Sequence, residues 1–440
     1  MGADVELEVV LENKTEVFVP GYPITGVVYF KTDETYKARA VKLEIVGKAE
    51  TNWTESESYY IRDSDGTSRR RSRTITYKAE VLYMDHEALL WTSSDGENKM
   101  PPGSYQWPFS INLPPNCPPS FEGEYGYIRY YLRAEIDRPW RLDKAKKQCF
   151  TVSPQIDLNL TPEARNVLRD SCSENIGSCC FKKGYVELRI EVPKSGYVPG
   201  EIIPINMQFN NTSSVPITKA EVEIYQRTRF SAVRDGTTIR FNGLPNDTSF
   251  SMCDVKEKSK EVAKVSKQID VQPGFSDNLT LEIKLAPVVP TINQYSPIIL
   301  VEYYLVARVD TAATFGSEAE SEVQLLIGTI PIRDYLPPSF YPADPSAVVI
   351  PPYSVDETNG ISTIPQPAPA LSPPYPVNAD NGFPKGSPIP SAPPISYEDS
   401  VYGTDGTTLN VDDNSKPFAP KYPVYNGLPT YNPTAPPAEK

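Results

Sequence analysis

The sequence predicts an all-β chain, two tandem antiparallel β-sandwiches followed by a disordered proline-rich C-terminal tail, and three observations predict it. Short segments alternate apolar and polar residues up to about residue 330. Two long blocks of the chain repeat each other in the same order. After Ile330 the alternation stops, and from Pro337 to Lys440 proline rises to nearly one position in four.

The alternation is that of strands with one face buried. Val5-Glu6-Leu7-Glu8-Val9, Val41-Lys42-Leu43-Glu44-Ile45, Glu221-Val222-Glu223-Ile224 and Leu279-Thr280-Leu281-Glu282-Ile283 each place apolar side chains on one face and polar ones on the other. Fully buried parallel strands would be apolar throughout. Helical spacing is confined to Pro162 to Arg169, with Thr161 in a cap-like position. Without crossover helices an α/β architecture is not expected.

The repeat divides the folded part. Phe18-Val19-Pro20-Gly21 through Phe30 aligns with Tyr197-Val198-Pro199-Gly200 through Phe209, and Leu43-Glu44-Ile45 meets Val222-Glu223-Ile224 in the same register. Ile111-Asn112-Leu113-Pro114-Pro115 mirrors Ile283-Lys284-Leu285-Ala286-Pro287, and Tyr130-Tyr131-Leu132-Arg133-Ala134 matches Tyr303-Tyr304-Leu305-Val306-Ala307. Each copy has a Pro-Gly turn, in which Pro sets φ and Gly accepts a positive φ. The expected units are a first sandwich at 1–153, a connector with a cysteine cluster at 154–184, a second sandwich at 185–330 and the tail at 331–440. Such a tail buries too little apolar surface to offset its chain entropy and is expected to take polyproline II character.

Composition narrows the function. A net charge of −13 lacks the Lys/Arg footprint of nucleic-acid binding. The N-terminus, Met1 to Glu6, has neither a basic nor an apolar leader region, so the chain is read as cytoplasmic. Glu6 stands where a myristoylation signal wants Ser or Thr. Six irregularly spaced cysteines suit a reducing compartment, and four metal ligands at Cys-x-x-Cys spacing are absent, so neither metal nor cofactor is expected. The single histidine, His86, reads as a turn residue after Asp85, and no phosphate-binding glycine loop occurs, so catalysis is not expected.

Two stretches then stand out: Leu113-Pro114-Pro115 with Pro119-Ser120-Phe121-Glu122-Gly123 leading into Tyr125 to Ala134, and Gly196 to Ile202 with Ser296 to Leu305. In these segments the chain resembles the α-arrestins, arrestin-domain-containing proteins, over both folded units and the tail. The resemblance implies an arrestin fold of two immunoglobulin-like sandwiches. It also implies an adaptor that holds a membrane receptor or transporter as cargo and recruits a HECT-type ubiquitin ligase through WW domains, at the plasma membrane and endosomes.

WW domains read Leu-Pro or a proline pair followed by Tyr, presented as polyproline II. Leu428-Pro429-Thr430-Tyr431 fits directly, and Ala419-Pro420-Lys421-Tyr422 fits less well. Where the family pattern has Pro-Pro-x-Tyr, this chain has Pro393-Pro394-Ile395-Ser396-Tyr397, whose extra residue turns the tyrosine by about 120° on a three-residue helix. Arg69-Arg70-Arg71-Ser72-Arg73 reads as a loop that meets anionic lipid or phosphorylated cargo, with a solvated hairpin tip as the plain alternative. Cys179 and Cys180 are candidates for palmitoylation beside Lys182 and Lys183. The competing function is a ligase-independent trafficking scaffold of the same fold, binding receptor tails or sorting complexes.

Overall fold

The computed structural model describes residues 5–62, 68–93, 96–139, 143–178, 181–240, 253–312, 318–333, 418–425 and 428. Strands form both sandwiches, as the alternation predicts. The first contains β1 (Val5–Leu11), β2 (Val17–Phe18), β3 (Pro23–Thr32), β4 (Tyr36–Lys37), β5 (Ala40–Arg62), β6 (Ser68–Thr92), β7 (Lys99–Met100), β8 (Gly103–Asn112), β9 (Phe121–Gly123), β10 (Gly126–Asp137) and β11 (Lys144–Val152). The second contains β12 (Leu168–Ser178), β13 (Phe181–Val192), β14 (Gly196–Tyr197), β15 (Ile202–Asn211), β16 (Ile217–Arg234), β17 (Thr238–Arg240), β18 (Asp254–Val271), β19 (Ser276–Lys284), β20 (Ile299–Thr311) and β21 (Glu318–Ile327).

In the first sandwich the sheet β1-β3-β8 faces the sheet β6-β5-β10-β11-β2. Antiparallel pairing sets Leu7 opposite Phe30 and Val9 opposite Val28, so four buried side chains share the inner face. Leu43, Ile45, Leu132, Ala134 and Phe150 answer from the other sheet. In the second sandwich β12-β13-β15-β19 faces the run β16-β20-β21-β14, to which β18 adds at β16. Ile203, Ile205, Met207 and Phe209 meet Val222, Ile224, Leu305 and Val309 in its core.

The sequence repeat is a structural one. Each copy ends in a two-residue parallel pairing, Val17–Phe18 with Thr151–Val152 and Gly196–Tyr197 with Leu326–Ile327. In each, the turn glycine has a positive φ, 85° at Gly21 and 92° at Gly200, and donates its N–H to the carbonyl of Leu113 or Leu285 at 3.0 and 2.8 Å. The sandwiches are joined by backbone pairing. Val233 and Arg234 of β16 ladder onto Lys78 and Tyr77 of β6, and β17 runs parallel to Glu80–Leu82. Phe230 of β16 packs between Phe121 and Tyr125, and the Thr51 hydroxyl donates to the Ser231 carbonyl at 2.7 Å. One sheet therefore runs through both units.

Several expectations need correction. The connector is shorter than 154–184, because residues 168–178 form β12 and pair with β13. The helical spacing from Pro162 yields only a 3-10 turn, Pro162–Arg165, since Leu168 is drawn into pairing with Val192. His86 is no turn residue; it lies within β6 opposite Ile45, exposed. The arginine run is not in a loop either: Arg69, Arg70, Arg71 and Arg73 belong to β6 itself. Finally, the tail is not uniformly loose, because residues 418–425 and Leu428 pack against the folded units.

Candidate docking surfaces

The first surface is the outer part of the hairpin made by β5 and β6, strands of 23 and 25 residues. Its base alternates into the core as far as Trp53, whose ring stacks on Tyr77 at 5.5 Å. From Thr54 on, every residue of β5 is exposed, and beyond Glu55, which still faces buried Ile75 and binds Lys256, about 20 Å of ladder projects beyond the sandwich. Register places Tyr59 opposite Arg71, Tyr60 opposite Arg70 and Ile61 opposite Arg69. Tyr60 is 72% exposed. Arg70 donates to Ser58 at 3.0 Å, and Arg73 binds Glu57 at 2.6 Å with its guanidinium 5.7 Å from the Tyr59 ring centre. Sequence reasoning found the arginines and missed Tyr59, Tyr60 and Ile61, which the long pairing brings beside them.

The second surface is a seam between the sandwiches, already filled by the tail. Lys421 donates its backbone N–H to Thr151 Oγ1 at 3.1 Å, and its ammonium reaches Glu16 at 3.2 Å. Tyr422 is 1% exposed, and its hydroxyl donates to the Ser120 carbonyl at 2.8 Å. That carbonyl stays available because Ser120 ties to Val152 through its own N–H and hydroxyl oxygen instead. Three residues on, Tyr425 is equally buried. It donates its N–H to the Pro199 carbonyl at 2.9 Å and its hydroxyl to the Thr329 carbonyl at 2.6 Å. Around Tyr425 and Leu428 lie Leu158 and Ala164 of the connector with Val198 and Ile332. Burial, with the Asp157 carboxylate next in effect, raises the Tyr425 phenol above its ordinary pKa.

Gly200 lets the tail come this close, since a Cβ there would lie 2.0 Å from the Tyr425 carbonyl oxygen. Beneath it, Lys194 and Glu201 form an ion pair with side chains 1% and 7% exposed, and the ammonium sits 4.5 Å from the centre of the Tyr197 ring. Glu201 also accepts the Val198 N–H at 3.2 Å. Burial pushes Lys194 down and Glu201 up. The first sandwich has a counterpart in Arg129, which forks onto Glu122 at 2.5 and 2.7 Å beneath the surface. Burial there pushes the Glu122 carboxyl up to about 7 against the pull of Arg129.

Of the tail residues named from sequence, Pro420, Tyr422 and Leu428 are thus buried in the seam. Pro393, Pro394, Tyr397, Pro429 and Tyr431 lie outside the described residues, as do Cys179 and Cys180. No group of three or more His, Cys, Asp or Glu positioned for a metal occurs among the described residues. No helix among them is long and apolar enough to cross a membrane.

Two sheet-on-sheet units repeated in tandem and fused through β6 and β16 define a two-domain arrestin-type protein. Residues 7–159 match the family described as "Arrestin (or S-antigen), N-terminal domain", and residues 182–332 match "Arrestin (or S-antigen), C-terminal domain". The chain belongs to the arrestin family, and within it to the α-arrestins. It is 32% identical over 232 residues to arrestin domain-containing protein 17 of Caenorhabditis elegans, covering 51% of this chain and 52% of the relative. Against arrestin domain-containing protein 4 of Mus musculus it is 26% identical over 332 residues, covering 75% and 73%. Human thioredoxin-interacting protein is 25% identical over 221 residues, covering 49% of this chain and 52% of that protein.

Proposed function

We propose that the chain is an adaptor that couples a membrane receptor or transporter to a WW-domain ubiquitin ligase of the HECT class, and so to endocytosis and endosomal sorting. The observation that carries this reading is the frame itself: two rigid sandwiches, locked by a shared sheet, displaying a long basic and aromatic hairpin. Arg69, Arg70, Arg71 and Arg73 meet phosphorylated cargo or anionic lipid there, and Leu428-Pro429-Thr430-Tyr431 is the principal ligase handle. Sites at Pro420/Tyr422 and Pro393/Pro394/Tyr397 add weaker contacts on the same tether. Palmitoylation at Cys179 and Cys180 would strengthen the membrane contact.

The test is a pull-down of ligase WW domains by a peptide of residues 386–440. The combined substitution Tyr397→Ala, Tyr422→Ala and Tyr431→Ala abolishes capture if the reading holds; undiminished capture rejects it. The alternative, a trafficking scaffold that needs no ligase, is favoured by one observation, the burial of Pro420, Tyr422 and Leu428. On that alternative the triple variant sorts cargo as the parent does.

A further inference from the structure

The seam occupied by residues 418–428 has the features of a peptide-binding site. Its contacts are spread over both sandwiches and the connector, and three of its four hydrogen bonds from Lys421, Tyr422 and Tyr425 backbone and hydroxyl groups end on backbone carbonyls. The two tyrosines also use related places in the two repeats. Lys421 and Tyr422 bind at Thr151, in the parallel pairing of β2 with β11, and beside it at Ser120. Tyr425 binds beside the equivalent pairing of β14 with β21, at Pro199 and Thr329. A duplicated fold thus reads a Tyr-Pro-x-Tyr segment, one tyrosine per copy.

Leu428 belongs to two structures at once. It completes the apolar cluster around Tyr425, and it is the first anchor of Leu428-Pro429-Thr430-Tyr431. A WW groove must hold that leucine in its own aromatic channel, which the seam denies while Leu428 is 7% exposed. Pro420 and Tyr422 are withheld by the same docking. We propose that the interdomain seam is a site for the Tyr422-Pro423-Val424-Tyr425 segment of the chain's own tail, and that occupation of it keeps the ligase handle out of reach. This rests on the ligase reading given above.

The linkage is quantitative. If the handle is free in only one molecule in ten, the apparent affinity for a WW domain falls about tenfold. Docking is intramolecular, so a ligase competes against a tail held at the seam by its own chain rather than against a free peptide.

The experiment uses the full chain, its Tyr425→Ala variant and the free peptide of residues 415–440, each titrated with a HECT-ligase WW domain. Tyr425 is outside the Leu-Pro-x-Tyr handle, so its loss opens the seam and leaves the handle intact. The expected result is full-chain binding at least tenfold weaker than the peptide, with Tyr425→Ala within about twofold of it. Equal binding by all three overturns the proposal. Hydrogen exchange on the full chain gives a readout that needs no ligase. The amides of Lys421 and Tyr425, bound to Thr151 Oγ1 and the Pro199 carbonyl, are expected to exchange at least tenfold slower than in the peptide, and to lose that protection in Tyr425→Ala. Exchange at the peptide's rate overturns seam occupation. If the peptide itself fails to bind WW domains while the amides are protected, the ligase reading falls and the seam site stands.

Discussion

Tyr130 and Tyr303 occupy the same position in the two sandwiches. Both are fully buried, and each hydroxyl donates across the core to a backbone carbonyl, Tyr130 to Pro118 at 2.8 Å and Tyr303 to Val289 at 2.6 Å. Replacing either by Phe keeps the packing and strands the carbonyl, so Tyr130→Phe and Tyr303→Phe should each cost about 1–2 kcal/mol in urea unfolding. Burial holds both phenols well above their ordinary range, so neither substitution should change the pH profile near neutrality.

The buried Lys194–Glu201 pair gives a sharper contrast. Lys194→Met leaves an uncompensated carboxyl beneath the seam and should destabilise by about 3–5 kcal/mol. Lys194→Met combined with Glu201→Leu removes both desolvation costs, and the double variant should recover most of that loss. A double variant as unstable as the single one would show that Glu201 contributes chiefly through the Val198 N–H.

Acid stability should depend on Glu223. Burial alone would raise its pKa, yet hydrogen bonds from Lys264 and Tyr225 and the charge of Arg308 hold it at about 2, against an ordinary value of 4.5. A depressed carboxyl stabilises fully above its unfolded pKa and loses that contribution as pH falls from 4.5 to 2. The contribution is on the order of 2–3 kcal/mol. Glu223→Gln should therefore be less stable than the parent at neutral pH, and the gap should close as acid unfolding is followed toward pH 2.

The hairpin predicts salt-sensitive membrane binding. At roughly 1 kcal/mol per exposed arginine near an anionic surface, less the share neutralised by Glu57, replacing Arg69, Arg70, Arg71 and Arg73 by Ser should weaken binding to phosphatidylserine vesicles on the order of a hundredfold. Tyr60→Ser alone should weaken it without altering the salt slope, because the ring adds apolar contact and no charge. Co-sedimentation at two ionic strengths reads both.

How much of this was legible in the sequence depends on where the information resides. The sandwiches were, because alternation and the repeated Pro-Gly turns are side-chain and dihedral signals, visible at Leu7, Val9, Gly21 and Gly200. The reach of the hairpin was not: beyond Thr54 both faces of β5 are solvated, so the apolar period that marks a strand disappears although the ladder continues. β12 escaped for a similar reason, since Arg169, Ser171, Ser173 and Glu174 are exposed on it. The seam was hidden more deeply. Its acceptors at Ser120, Pro199 and Thr329 are main-chain carbonyls, which no residue pattern encodes. The available signal lay in the tail, where Tyr422, Val424, Tyr425 and Leu428 gather apolar surface that a loose segment has little reason to carry.

The ladder from β16 onto β6 has a mechanical consequence. A twist of one lobe against the other would have to break main-chain bonds at Lys78–Val233 and Tyr77–Arg234, close to where the projecting hairpin is rooted. Tension applied at the hairpin tip is thereby transmitted straight into the far lobe, along the backbone rather than through a pliable joint.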